Sequence, residues 1–235
     1  MPYTVAIFDL DNCLIDALSV GSLFEPAFEA VRRANQGALT PAVLEEALNQ
    51  CWYTAFDLVA DRYGFTPAMR SAGWEEFRQM EVRTPPQAYP DLGLVPSIPL
   101  RRYLVTSGFR RLQNSKIDAL GIRSWFEDVI IDALDDKDDE NAPPHGKRPV
   151  FERILAREGC TPQQVLVIGD NPLSELGAGR ALGAVTVQTV RPGIRPWELA
   201  DYRVESLEEV LQILAADQAP AGAATGLASV SDGCA

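Results

Sequence analysis

Paired cysteines, a supply of histidine, long apolar runs and surplus positive charge are all missing from this chain, and each absence removes a class of function. The four cysteines, Cys13, Cys51, Cys160 and Cys234, include no C-x-x-C spacing, which argues against a structural zinc or redox motif and fits a reducing cytoplasm. His145 is the single histidine. It would have to be the base of any Ser-His-Asp or Cys-His design, and no serine sits in a G-x-S-x-G turn. No run of about 18 apolar residues could span a bilayer. Asp9, Asp11 and Asp16 interrupt the first apolar stretch, so no export signal is visible either. The expectation is a cytoplasmic protein with no membrane anchor. Lys and Arg number 21 against 33 Asp and Glu, a formal net charge of -12, which argues against nucleic acid as a nonspecific partner. A small phosphorylated metabolite would need local compensation by a metal or a lysine.

What the chain does have is enough length, 235 residues, for one α/β core and a substantial insertion. Continuous apolar runs at Val5 to Phe8, Tyr103 to Val105, Val129 to Ile131, Val165 to Ile168 and Val185 to Val187 read as strands buried on both faces. Helical periodicity between them, as in Arg111 to Leu120 and Val150 to Arg157, makes the core a Rossmann-like parallel sheet in three α/β/α layers. Thr161-Pro162 marks a helix start, and Ser206 with Glu209 a capping box. Between residues 16 and 91 the strand signal gives way to helical stretches opened by Thr40-Pro41 and Thr66-Pro67, an inserted all-helical cap. Prolines 85, 86, 90, 96 and 99 then stiffen the return, with a hinge near Tyr89 to Asp91. The expected division is a core of residues 1–15 and 92–215, a cap of 16–91, and a flexible Ala/Gly/Ser-rich tail of 216–235. There is no internal repeat.

Chemistry-bearing residues collect where these strands end. Asp9 and Asp11 follow the run Val5 to Phe8, at the carboxyl edge where open α/β sheets bind ligands, and on an extended chain they point to one side. Two close carboxylates repel, so a divalent cation is a natural resolution, although the pair alone fits a strand closing on solvent equally well. Asp170 follows Val165 to Gly169 and would add a third oxygen, while Asn171-Pro172 delays the next helix. Glu175 is a ligand, an outer anchor, or a charge favoured by the helix dipole. Thr106, Ser107 and Gly108 end another strand as a phosphate cradle or a plain helix N-cap. Lys147, in a loop beside Arg148, would neutralise a phosphoryl group, although an isolated loop lysine is usually a solvated charge. Cys13 reads as a buried small side chain, and the acidic run Asp135 to Glu140 as a solvated loop. Trp52, Tyr53 and Trp74 read as helix-packing core rather than ligand-stacking groups.

Taken in order, the strings FDLDNCL, YLVTSG, HGKRP and VLVIGDNPLSE resemble the four-part pattern of the haloacid dehalogenase-like superfamily. The resemblance runs from Tyr3 to about Ala215, and the helical insertion is similar to the family's C1-type cap. It implies a phosphatase in which Asp9 attacks phosphorus to form an aspartyl phosphate, and Asp11 protonates the leaving oxygen and then activates water. It further implies Mg2+ held by Asp9, the Asp11 backbone carbonyl and Asp170, with Thr106, Ser107 and Lys147 on the phosphoryl group and Asn171 and Glu175 behind the metal. An acid/base aspartate at position 11 favours phosphate esters over carbon-halogen bonds. Asn12-Cys13 replaces the family's usual Gly-Thr and is similar to pyrimidine 5'-nucleotidase-like members; Glu175 stands at a shifted spacing. A phosphomutase, or a non-catalytic binding protein on the same fold, are the alternatives. Substrate and oligomeric state stay open.

Overall fold

A computed structural model describes residues 3–52, 54–136 and 145–218. Six strands, β1 (Val5–Phe8), β2 (Arg101–Gly108), β3 (Asp128–Ala133), β4 (Val165–Gly169), β5 (Val185–Thr189) and β6 (Tyr202–Val204), form one sheet in the order β3-β2-β1-β4-β5-β6. Every pairing is parallel. Successive side chains of a strand face opposite ways, so a doubly covered sheet needs apolar residues at every position. In β1, Ala6 and Phe8 pack with Ile117 of helix α5 (Arg110–Leu120) and with Leu207, Val210 and Leu214 of α8 (Leu207–Gln218). On the other face Val5 and Ile7 pack with Val150, Phe151 and Ile154 of α6 (Lys147–Glu158), and helix α7 (Glu175–Leu182) lies on the same side. Each of the larger of these buried side chains contributes about 1.5–3 kcal/mol.

Between β1 and β2 the described residues form four α-helices, α1 (Glu25–Asn35), α2 (Pro41–Gln50), α3 (Phe56–Tyr63) and α4 (Pro67–Gln79), flanked by 3-10 turns. Thr40 and Thr66 cap α2 and α4 by accepting from the backbone N–H of Val43 (3.4 Å) and Met69 (3.3 Å), with proline in the first turn of each. Their apolar faces share a second core that runs on into the sheet domain through Phe109, Leu112 and Leu134. Phe77 of α4 stacks on Phe109 at 5.3 Å, and Trp74 meets the same ring edge-on at 5.0 Å.

The insertion leaves and returns beside itself: Asp16 N–H donates to Gln87 O (2.9 Å) and Tyr89 N–H to Leu14 O (3.0 Å). Arg191, just beyond β5, clasps both linkers. Its guanidinium donates to Cys13 O (2.9 and 3.1 Å), to the Asp91 carboxylate (2.9 and 3.0 Å) and to Glu205 O (2.8 Å), and lies 4.3 Å from the Tyr89 ring centre. Asp91 also accepts from Leu207 N–H (2.6 Å), so the start of α8 is satisfied from across the fold, while Glu209 accepts from Ser206 N–H (3.1 Å) as half of the expected capping box.

Several expectations are corrected. Thr161-Pro162 opens a single 3-10 turn, Pro162–Gln164, because β4 begins at the next residue and the sheet takes the chain. Lys147 is the first residue of α6 rather than a loop residue. The short edge strand β6 was not expected from the sequence, since two of its three residues are exposed. Ala216 to Gln218 continue α8; the rest of the expected tail, Tyr53 and most of the acidic run lie outside the described residues. Among the described residues no helix is long and apolar enough to cross a membrane.

Candidate active site

The carboxyl ends of β1, β2 and β4 converge on a buried charge cluster. The Lys147 ammonium, brought in at the N-terminus of α6, lies 2.8 Å from Asp9 Oδ1 and 2.9 Å from Glu175 Oε2. Lys147 is 5% exposed and Glu175 1%, so neither is a solvated charge. Glu175 Oε1 accepts from Asn171 N–H (2.6 Å), and Asn171 Oδ1 accepts from Leu173 N–H (2.9 Å), a side-chain turn that delays α7 until Glu175. A Cβ at position 169 would collide with the Glu175 carboxylate, so the glycine before Asp170 is what lets β4 and α7 approach this closely. Carboxylate oxygens of Asp9, Asp170 and Glu175 lie within 4.8 Å of one another.

One ammonium serves three anions. Burial, opposed by Lys147 and reinforced by Glu175, pushes the Asp9 pKa up; burial, then Glu175 and Asp9, push Asp170 up. Burial works against the charged form of Lys147, yet Asp9 and Glu175 together hold its pKa above the ordinary lysine value. These directions agree once shared: the cation gains from several carboxylates, while each carboxylate has only part of one cation. The donor set is anionic oxygen in excess of positive charge, which fits a hard divalent cation such as magnesium.

Asp11 lines the same cavity but turns away from that cluster. Its carboxylate accepts from Lys116 Nζ (2.8 and 3.0 Å) and from Gln113 Nε2 (2.9 Å), both on α5. Gln113 also donates to Thr106 Oγ1 (2.6 Å), tying Asp11 to the hydroxyl at the end of β2. The Ser107 hydroxyl, expected on a phosphate, donates to Asp132 Oδ2 (2.9 Å) at the end of β3. Asp132 Oδ1 accepts from Gly146 N–H (2.9 Å), the residue before Lys147, and lies 3.8 Å from His145 Nδ1. No serine-histidine hydrogen bond is present among the described residues. Cys13 is fully buried, with its thiol pKa pushed well up by burial and then by Asp9, and is packing rather than nucleophile. Asn12 adopts φ 55°, the left-handed conformation that asparagine tolerates better than most residues, which explains how it stands where the resembled family has glycine.

Gln113, Lys116 and Asp132 were not singled out from the sequence. A signal existed for two of them, since Gln113 and Lys116 share the buried stripe of α5 with Leu112 and Ile117, and polar residues inside an apolar stripe call for partners. Arg148, the next residue after Lys147, points outward to Glu152 (3.0 Å). Above the charged floor a cavity of about 590 Å3 opens toward the helical insertion, where Phe24, Trp52, Leu58 and Arg62 contribute to its walls. Trp52 therefore both packs against Phe24 and Phe28 and borders the cavity.

Comparison with known proteins agrees with this architecture. A glyceraldehyde 3-phosphate phosphatase of Methanocaldococcus jannaschii is 25% identical over 165 residues, covering 67% of this chain and 70% of that protein. A magnesium-bound protein of Bacillus subtilis superposes with a TM-score of 0.58 at 16% identity, over 91% of this chain and 99% of the other. The L-2-haloacid dehalogenase of Xanthobacter autotrophicus superposes at 0.54 and 17% identity, over 91% and 98%. The structural likenesses show the fold and do not separate phosphate from halide chemistry. The haloacid dehalogenase-like hydrolase family model matches residues 3–183, and with the four motifs assembled at one sheet edge, the chain belongs to that family of hydrolases.

Proposed function

We propose that the protein is a magnesium-dependent phosphatase that hydrolyses a small phosphate monoester through an aspartyl phosphate on Asp9. The observation that carries this reading is the pairing of Asp9 with Lys147 in one cluster and of Asp11 with Lys116 and Gln113 beside it. A halide needs no proton on leaving, whereas an alkoxide does, and Asp11, carried into this step in its protonated form, is the side chain placed to supply one. The phosphatase activity named for the Methanocaldococcus relative points the same way.

Lys147 holds Asp9 Oδ1, which leaves Oδ2 to attack phosphorus. As that bond forms, the ester P–O bond breaks and Asp11 passes its proton to the leaving oxygen. Asp11, now a carboxylate, takes a proton from water; the water oxygen attacks phosphorus, the bond to Asp9 breaks, and phosphate departs with both aspartates restored. Thr106 accepts its hydrogen bond from Gln113, so its own O–H is free to donate to a phosphoryl oxygen. Lys116 and Gln113 fix the direction of Asp11, and Asp132 holds Ser107 and the backbone before Lys147. Asp9, Asp170 and the Asp11 carbonyl would hold magnesium, with Glu175 and Asn171 behind them. Bound there, the ion supplies the positive charge that lets these carboxylates and a phosphate dianion share one site. Residues 1–15 and 92–215 form the catalytic unit in this reading, and 16–91 the cap that closes over the leaving group. A phosphomutase would need cations for a second phosphate, and deep in the cavity Lys116 and Lys147 are both already paired. Inorganic phosphate release by the Asp9→Asn protein tests the reading: near-complete loss with normal folding is expected, and a tenth of native activity would overturn it.

A further inference from the structure

The cavity is far larger than a triose phosphate needs and carries a wall for which such a substrate has no use. At about 590 Å3 it falls in the size range of pockets that enclose drug-sized ligands. The charged floor of Asp9, Asp11, Asp170, Lys116 and Lys147 makes up part of the lining. The helical insertion adds Phe24 and Trp52, both only half-buried, with tilted rings 4.8 Å apart, and Leu58, 54% exposed. Exposed aromatic and aliphatic surface inside a cleft is unfavourable in water and is relieved by an apolar partner. A chain of three hydroxylated carbons offers none.

Charge narrows the choice further. Deep in the cavity Lys116 is committed to Asp11 and Lys147 to Asp9 and Glu175. Among the described lining residues the one further permanent cation, Arg62, is exposed and belongs to α3. A second anionic group on the substrate, a carboxylate or another phosphate, would lie among carboxylates with no uncommitted buried cation to meet it.

We infer that this cavity takes the phosphate monoester of an uncharged alcohol bearing a flat ring, the ring lying against Trp52 and Phe24. The inference rests on the phosphatase reading above and adds the class of leaving group. Stacking a ring on an aromatic side chain favours binding by about tenfold or more. That discriminates against small polar esters without any change at the phosphoryl site.

The test is phosphate release by the full chain with magnesium across two sets of esters, phenethyl phosphate and uridine 5'-monophosphate against glycerol 3-phosphate, glyceraldehyde 3-phosphate and phosphoglycolate. The ring esters are expected to lead in kcat/KM by about tenfold or more. Trp52→Leu should collapse that ratio toward one, chiefly through KM. Because Trp52 also packs on Phe28, Leu58→Glu provides a second variant at an exposed position, and it should lower the same ratio. A preference for the triose esters or phosphoglycolate, or a ratio unmoved in both variants, overturns the inference and leaves the phosphatase reading standing. Failure of native protein to release phosphate from any ester overturns both.

Discussion

Lys147 and Arg148 are neighbours in sequence and opposites in environment, and only the folded chain separates them. Lys147 is enclosed between Asp9 and Glu175, whereas Arg148 meets Glu152 on the surface of α6. Removing a preorganised charge that meets the transition state lowers kcat/KM by about 10²–10³. Lys147→Ala should show that loss and Arg148→Ala almost none. Contrary to the small stability effect expected of a loop lysine, Lys147→Ala should also destabilise by about 3–5 kcal/mol, since it leaves buried carboxylates uncompensated. In the same series Lys116→Met, acting through Asp11, should slow an alkyl phosphate more than p-nitrophenyl phosphate, whose leaving group needs no proton. Equal losses on both esters would make Lys116 merely structural. The acidic residues at the ends of β1 and β4 were legible because each follows a continuous apolar run. Gln113 and Lys116 left a weaker signal in the apolar stripe of α5, and Asp132 left none, because it gains its meaning from Ser107 and Gly146, brought close only by the fold.

At the scale of elements, the runs that became β1 to β5 and the threonine-proline starts of α2 and α4 could be read directly, since continuous apolar runs and N-capping are local rules, although β3, at the sheet edge, is only half-buried. What escaped was long-range. The turn after Thr161 carries a helix-start signature that β4 overrides within three residues. The start of α8 is completed by Asp91, and Arg191 joins Asp91 to Cys13 and Glu205 across the sheet edge. Arg191 is 5% exposed, so this clasp is a buried ion pair with its remaining donors satisfied, the kind whose breaking is expensive. Arg191→Ala should lower stability by about 3–5 kcal/mol, a fall in Tm of about 10 °C. A loss below about 1 kcal/mol in denaturant unfolding would show that the two linkers are held mainly by their own backbone bonds.

Across the whole molecule, folding gathers carboxylates that the unfolded chain keeps apart, and a metal-free protein bears that repulsion. Asp9 and Asp170 have folded pKa values above the ordinary 3.8. The native state then binds more protons than the unfolded one, so stability falls as pH rises from the ordinary value through the raised ones. Lys147, raised above its ordinary 10.5, contributes a constant term over that range. Magnesium should therefore raise Tm more at about pH 8 than at about pH 6, and equal gains would contradict the assigned cluster. The central claim is that Asp9 carries the phosphoryl group and Asp11 moves the protons. An aryl phosphate needs no acid to leave, but hydrolysis of the phosphoenzyme needs the base, so the Asp11→Asn protein should stall halfway. Rapid mixing of that variant with p-nitrophenyl phosphate, followed by acid quench and mapping of the bound phosphate, is the decisive measurement. The account predicts one equivalent of p-nitrophenol released in a burst with the phosphoryl group on Asp9; no burst, or phosphate on any other residue, would contradict it.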